Sequence, residues 1–93
     1  MTVLDQGDDL RVAERLVVAT EAGVFRPRPP QDFTTEGEIV HEGQVVGVVE
    51  GPGRQVDVVS YFTGFLMSML AEPGQRVRPG QPVAWLRSLE GGP

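Results

Sequence analysis

The sequence repeats itself. Gly37, Val40, Gly43, Gln44 and Val46 recur 37 residues later as Gly74, Val77, Gly80, Gln81 and Val83. Further upstream, Val17, Val18 and Gly23 recur as Val58, Val59 and Gly64 at an offset of 41 residues. The two offsets place a four-residue insertion in the first half, within residues 24–36, where the proline-rich Arg26-Pro27-Arg28-Pro29-Pro30 lies. A chain that repeats on this scale builds one supersecondary unit twice and must bury two similar apolar faces against each other.

The unit is β-type. From Leu16 onward the chain is rich in valine pairs, Val17-Val18, Val45-Val46, Val48-Val49 and Val58-Val59, and Gly or Pro breaks it every few residues. Each half reads as a strand, a glycine corner, a second strand, a connection, and a Gly-x-x-Val-x-x-Gly-Gln turn leading into a final strand. Gly37, Gly43, Gly74 and Gly80 flank the tight reversals, where positive φ is tolerated only without a Cβ. Val40 and Val77 are the apolar plugs between them. The expected fold is all-β, a flattened barrel or sandwich of two pseudo-twofold-related four-stranded halves, with Pro82 at a strand start or on an edge. Residues 1–15 read as a loose, acidic N-terminal arm, 16–88 as the domain and 89–93 as a frayed C-terminus.

Composition narrows the chemistry. The chain has 93 residues and a net charge of −5; all eight basic residues are arginines, and lysine and cysteine are absent. A length under 100 residues fits one small domain held by packing alone, without disulfides, and the absence of thiols fits a cytoplasmic protein. No apolar run approaches a membrane span, and no signal-peptide pattern opens the chain. The acidic balance disfavours nucleic acid, and Arg26-Pro27-Arg28 and Arg76-Val77-Arg78 read as solvated turn charges. His41 is the only histidine, so neither a metal centre nor a Ser-His-Asp triad is expected. The scattered carboxylates, Asp8, Asp9, Glu36, Glu38 and Glu42, read as surface groups.

The segments Glu21-Ala22-Gly23-Val24-Phe25, residues 36–50, Thr63-Gly64-Phe65-Leu66, Gly74-Gln75-Arg76-Val77 and Gly80-Gln81-Pro82-Val83 together resemble the biotinyl/lipoyl carrier domain. Within that family the resemblance is strongest to the biotin carboxyl carrier domain of acyl-CoA carboxylases, and it spans residues 16–86. It implies the hammerhead form of the sandwich just described, and it matches the first-half insertion to a protruding loop of carboxylase carriers. In the family the halves meet at a Glu-Ala-Met-Lys-Met hairpin whose lysine carries biotin or lipoate. The aligned residues here are Glu50-Gly51-Pro52-Gly53-Arg54, so Gly53 replaces the modified lysine. A guanidinium stays protonated and cannot act as the acyl-accepting amine. No cofactor is therefore expected on this chain. Ser60, Ser68 and Ser88 lack the helical context of a phosphopantetheine site.

What the hairpin loses, another surface offers. If Val58, Ser60 and Leu66 point inward, as the carrier register implies, then Val59, Tyr61, Phe62, Phe65 and Met67 form an outward apolar stripe. These five are the candidate residues for binding a protein partner or an apolar small molecule, with Tyr61 as a polar handle. Three functions compete. One is an unmodified carrier-like accessory subunit; another is a cofactor-free small-molecule-binding enzyme, such as a cyclase working by shape and orientation; the third is a homodimer built through the stripe.

Overall fold

The computed structural model describes residues 10–28, 32–35 and 37–91. The expectations for residues 1–9 and 92–93, for Pro29 and Pro30 at the end of the proline-rich segment, and for Glu36 lie outside them. Among the described residues there are nine strands and no helix: β1 (Leu10–Val18), β2 (Gly23–Pro27), β3 (Asp32–Thr34), β4 (Gly37–Val40), β5 (Val45–Gly51), β6 (Arg54–Val59), β7 (Gly64–Met69), β8 (Arg76–Val77) and β9 (Pro82–Gly91). They form two antiparallel sheets, one ordered β1-β9-β7-β4-β3 and the other β6-β5-β2-β8. No described helix is long and apolar enough to cross a membrane.

Strand pairing obeys the repeat. β1 pairs with β9 as β6 pairs with β5; β2 pairs with β5 as β7 pairs with β9; β2 pairs with β8 as β7 pairs with β4. Only β3 has no counterpart; it lies within residues 24–36, the segment that contains the insertion, and adds a fifth strand to one sheet. The symmetry extends to irregularities. Val17 and Val18 oppose Ala84 and Pro82, leaving Val83 as the extra residue, and Val58 and Val59 oppose Gly47 and Val45, leaving Val46. Both bulged valines are buried, so the kink that bends each strand also supplies a core side chain.

The Gly-x-x-Val-x-x-Gly-Gln turns also match. The Gly43 amide donates to the Ser60 carbonyl and the Gly80 amide to the Ala19 carbonyl, both at 2.7 Å. Gly43 and Gly80 have φ of 87° and 86°, a conformation that a Cβ disfavours. Gln44 Oε1 accepts the His41 amide at 3.0 Å, and Gln81 Oε1 accepts the Arg78 amide at 3.1 Å. The shared glutamine therefore closes the turn with its own side chain.

Apolar residues of both halves meet between the sheets. Phe25, Val40, Val49, Val58, Val77, Val83, Ala84 and Leu86 are all buried there, with Phe62 and Leu66 packed against them. Val40 and Val77 thus occupy the same place in their halves, and Pro82 opens β9, where its missing N–H removes no inner ladder bond.

The ends of the domain differ from the sequence expectation. The β1–β9 ladder continues from Leu16↔Trp85 out to Leu10↔Gly91, so residues 10–15 and 89–91 are strand rather than arm and frayed tail. The symmetry gives the reason. Ala13↔Ser88 is the counterpart of Arg54↔Gly51, the pair that closes the β5–β6 hairpin. No turn joins β9 to β1, and their ladder is free to run past the point where its partner must reverse.

Candidate functional site

The β5–β6 hairpin is a two-residue turn. Gly51 pairs with Arg54, leaving Pro52 and Gly53 at the tip, and Gly53 has φ of 74°. Proline followed by a residue at positive φ is the chemistry of a type II turn. Pro52, Gly53 and Arg54 are all exposed, while the flanking charges are tied down. The Arg26 Nε and Gln55 Nε2 donate to the two oxygens of Glu50 at 3.2 and 3.1 Å, and Arg54 is paired with Glu21. The tip presents no amine, no thiol and no hydroxyl. Its geometry is that of a tight structural reversal.

The five candidate apolar residues are distributed over two sheets and a corner. Val59 is half-buried on β6, paired with Val45 beyond the bulge. Tyr61 and Phe62 lie in the corner between β6 and β7, where strand alternation does not apply. Tyr61 is 71% exposed. Phe62 turns toward the core, with the Arg15 guanidinium 4.9 Å from its ring centre. Its backbone is held by Ser60, whose hydroxyl donates to the Phe62 carbonyl at 2.6 Å and accepts the Phe62 amide at 3.2 Å. Phe65 is half-buried on β7, and Met67 is the extra residue between Leu66 and Ser68, exposed where the bulged Val46 and Val83 are buried. Val58 and Ser60 are buried, and Leu66 packs against the core.

Around Phe65 the structure assembles residues that sequence reading did not join. Registers across four neighbouring strands put Glu14, Arg87, Phe65 and Ile39 in one lateral row on the outer face of the five-stranded sheet. A second row, one step along, carries Leu16, Trp85 and Ser68. Glu14 holds the two rows together. One carboxylate oxygen accepts the Trp85 indole N–H and the other accepts Arg87 Nε at 3.1 Å. Between Ile39, Thr63, Gly64, Phe65 and Arg87 lies a cleft of about 180 Å³. Gly64 lets β7 run close to β9 beside the cleft, because a Cβ there would fall 2.7 Å from the Arg87 carbonyl oxygen.

Comparison with models of known protein families and with characterised protein sequences returns no match. Function must therefore be argued from the residues themselves. Among the described residues no group of three His, Cys, Asp or Glu side chains is placed to hold a metal ion. His41 lies exposed at a turn, and the chemistry available on the outer face is apolar contact, aromatic surface and one anchored guanidinium. A signal for this site was present in the i, i+2 spacing of Glu14 with Leu16 and of Trp85 with Arg87. Reading residues 1–15 as an arm hid half of it.

Proposed function

We propose that this chain is an unmodified, biotin-carboxyl-carrier-like binding protein of the cytoplasm, an accessory or interaction subunit rather than a swinging-arm carrier. The observation that carries the reading is the β5–β6 tip. Where the resembling family bears its modified lysine, this chain has Gly53 at positive φ in a closed two-residue turn, and it has no lysine elsewhere. The two-half sandwich is kept while the arm-bearing group is gone, which leaves surface recognition as its activity. The outer face around Phe65, Met67 and Leu16 supplies exposed apolar area for a protein partner. The test is association with purified biotin carboxylase and carboxyltransferase subunits of an acyl-CoA carboxylase from the same organism, followed by sedimentation velocity. Co-sedimentation that Leu16→Asp abolishes supports the proposal; independent sedimentation with both subunits overturns it.

A second reading is favoured by the cleft beside Phe65. In it the protein is a cofactor-free binder of a small apolar molecule, and a cyclase acting by shape is the enzyme class such a surface suits. Unchanged ligand binding in Phe65→Ala and Tyr61→Ala would exclude it.

A further inference from the structure

We propose that the cleft between β4, β7 and β9 is a binding site for a small carboxylate with a flat apolar body. This deepens the small-molecule reading and is independent of the protein-partner one. Four groups carry the argument. Ile39 and Phe65, adjacent in the cross-strand row, form an apolar floor. Arg87 and Thr63, whose side chains carry N–H and O–H donors, line the same cleft.

The Arg87 guanidinium is positioned before any ligand arrives. Its Nε is spent on Glu14, whose second oxygen is held by the Trp85 indole. Its Nη groups have no partner among the described residues, and the side chain is half-exposed. Guanidinium N–H groups match carboxylate oxygens in direction and charge, and a pre-oriented fork loses less freedom on binding than a mobile one. Thr63 adds a second donor. Its Oγ1 accepts the Glu42 amide at 2.9 Å, which leaves the hydroxyl hydrogen for another acceptor.

Size sets the ligand class. A cleft of about 180 Å³ is smaller than the roughly 300–1,000 Å³ of pockets that hold drug-sized molecules, so it suits a single ring or a short branched chain. A carboxylate on that body reaches the guanidinium while the apolar part lies on Phe65 and Ile39. A dianionic or strongly hydrated ligand such as inorganic phosphate would leave the apolar floor unused.

The probe is benzoate, titrated into the full-length chain and followed by amide and Arg Nε chemical shifts, with benzyl alcohol as the uncharged counterpart. Saturable shifts confined to Ile39, Thr63, Gly64, Phe65 and Arg87 are expected. Benzyl alcohol should bind at least about ten-fold more weakly, because it lacks the charge-assisted hydrogen bonds. Arg87→Gln should weaken benzoate about ten-fold or more and leave benzyl alcohol within about two-fold. Thr63→Val, which keeps the shape of the wall, should weaken benzoate about three- to ten-fold and serves as the second variant where Arg87→Gln disturbs Glu14. Equal binding of benzoate and benzyl alcohol, shifts scattered over the surface, or an undiminished benzoate affinity in both variants would overturn the site. None of these results bears on association with carboxylase subunits.

Discussion

Gly47 lies against Phe25: a Cβ placed on Gly47 would sit 2.6 Å from Cε1 of the Phe25 ring. The ring is fully buried in the middle of the β-sandwich, and neighbouring Arg26 carbonyl oxygen at 2.8 Å closes the other direction of escape. Gly47→Ala is therefore expected to destabilise the domain by about 1–3 kcal/mol through overpacking. Urea denaturation measures it. Gly43→Ala makes a useful contrast, since nothing lies within 4 Å of its Cβ and its cost comes from φ of 87° alone, roughly 1–2 kcal/mol. Adding Phe25→Leu should relieve part of the Gly47→Ala loss and none of the Gly43→Ala loss.

Gly64 tests a stiffer constraint. Its Cβ would meet backbone on β9, at 2.7 Å from the Arg87 carbonyl oxygen and 3.1 Å from the Ser88 Cα, and backbone in a paired strand cannot swing aside as a ring can. Gly64→Ala is expected to cost more than Gly47→Ala and to break the β7–β9 ladder locally. Amide exchange at residues 65, 66 and 86 would show it as lost protection, while protection in the β5–β6 ladder persists. Uniform protection in the variant would contradict the close approach.

The paired glutamines yield an additive pair of effects. Gln44→Ala and Gln81→Ala each remove one side-chain acceptor from an exposed turn amide, at an expected cost of about 0.5–1.5 kcal/mol apiece. The backbone and glutamine bonds of the two turns, Gly43 to Ser60 and His41 to Gln44 against Gly80 to Ala19 and Arg78 to Gln81, go to different groups among the described residues, so the double variant should equal the sum within about 0.5 kcal/mol. A larger coupling energy in thermal or urea unfolding would show that the halves communicate through their turns.

These cases also show what the sequence made legible. The repeat was enough to place Val40 and Val77 in equivalent buried sites, to open β9 at Pro82 and to locate an insertion in the segment that holds β3. Identity at paired positions reports a shared local environment, so a repeat reveals architecture directly. The reason for the identity was less visible. Gln44 and Gln81 looked like turn residues, but their part as backbone acceptors needs a side-chain conformation. The bulges at Val46 and Val83 have no sequence mark, because an extra residue changes the register without changing the composition. Phe62 lies in a corner where period-two alternation ceases to predict direction. Glu14 was missed for a different cause: its strand is ordered by pairing with β9, a contact distant in sequence, and an acidic stretch alone gives no hint of it.

Trp85 provides a reporter for that missed region, since it is the single tryptophan of the chain. Glu14→Ala removes the acceptor of its indole N–H and frees Arg87 Nε at the same time. The emission of Trp85 is expected to change in maximum or yield. Stability should change by no more than about 1 kcal/mol, because the Glu14 and Arg87 side chains are 49% and 44% exposed. Glu14→Gln retains an acceptor oxygen and should restore much of the wild-type spectrum. Identical spectra for all three chains would mean that the indole is not held by Glu14.

The carrier-type reading of the hairpin is tested by putting back what the tip lacks. Gly53 has φ of 74°, so Gly53→Lys alone is strained by about 1–2 kcal/mol and presents the amine on a turn shaped by Pro52. The single variant is expected to be a poor substrate for biotin protein ligase. Replacing Gly51, Pro52, Gly53 and Arg54 together by Ala, Met, Lys and Met restores the family's tip beside Glu50 and removes the proline that fixes the type II turn. If the two halves of this sandwich hold β5 and β6 as a biotin carrier does, this fourfold variant gains one biotinyl group by intact-mass measurement, while the wild type gains none under the same conditions. The modified residue should map to position 53 by proteolytic fragmentation. A fourfold variant that keeps the β-sheet spectrum and cooperative unfolding of the wild type but stays unmodified would separate this hairpin from the carrier family, because the ligase would then have met the right sequence on the wrong frame.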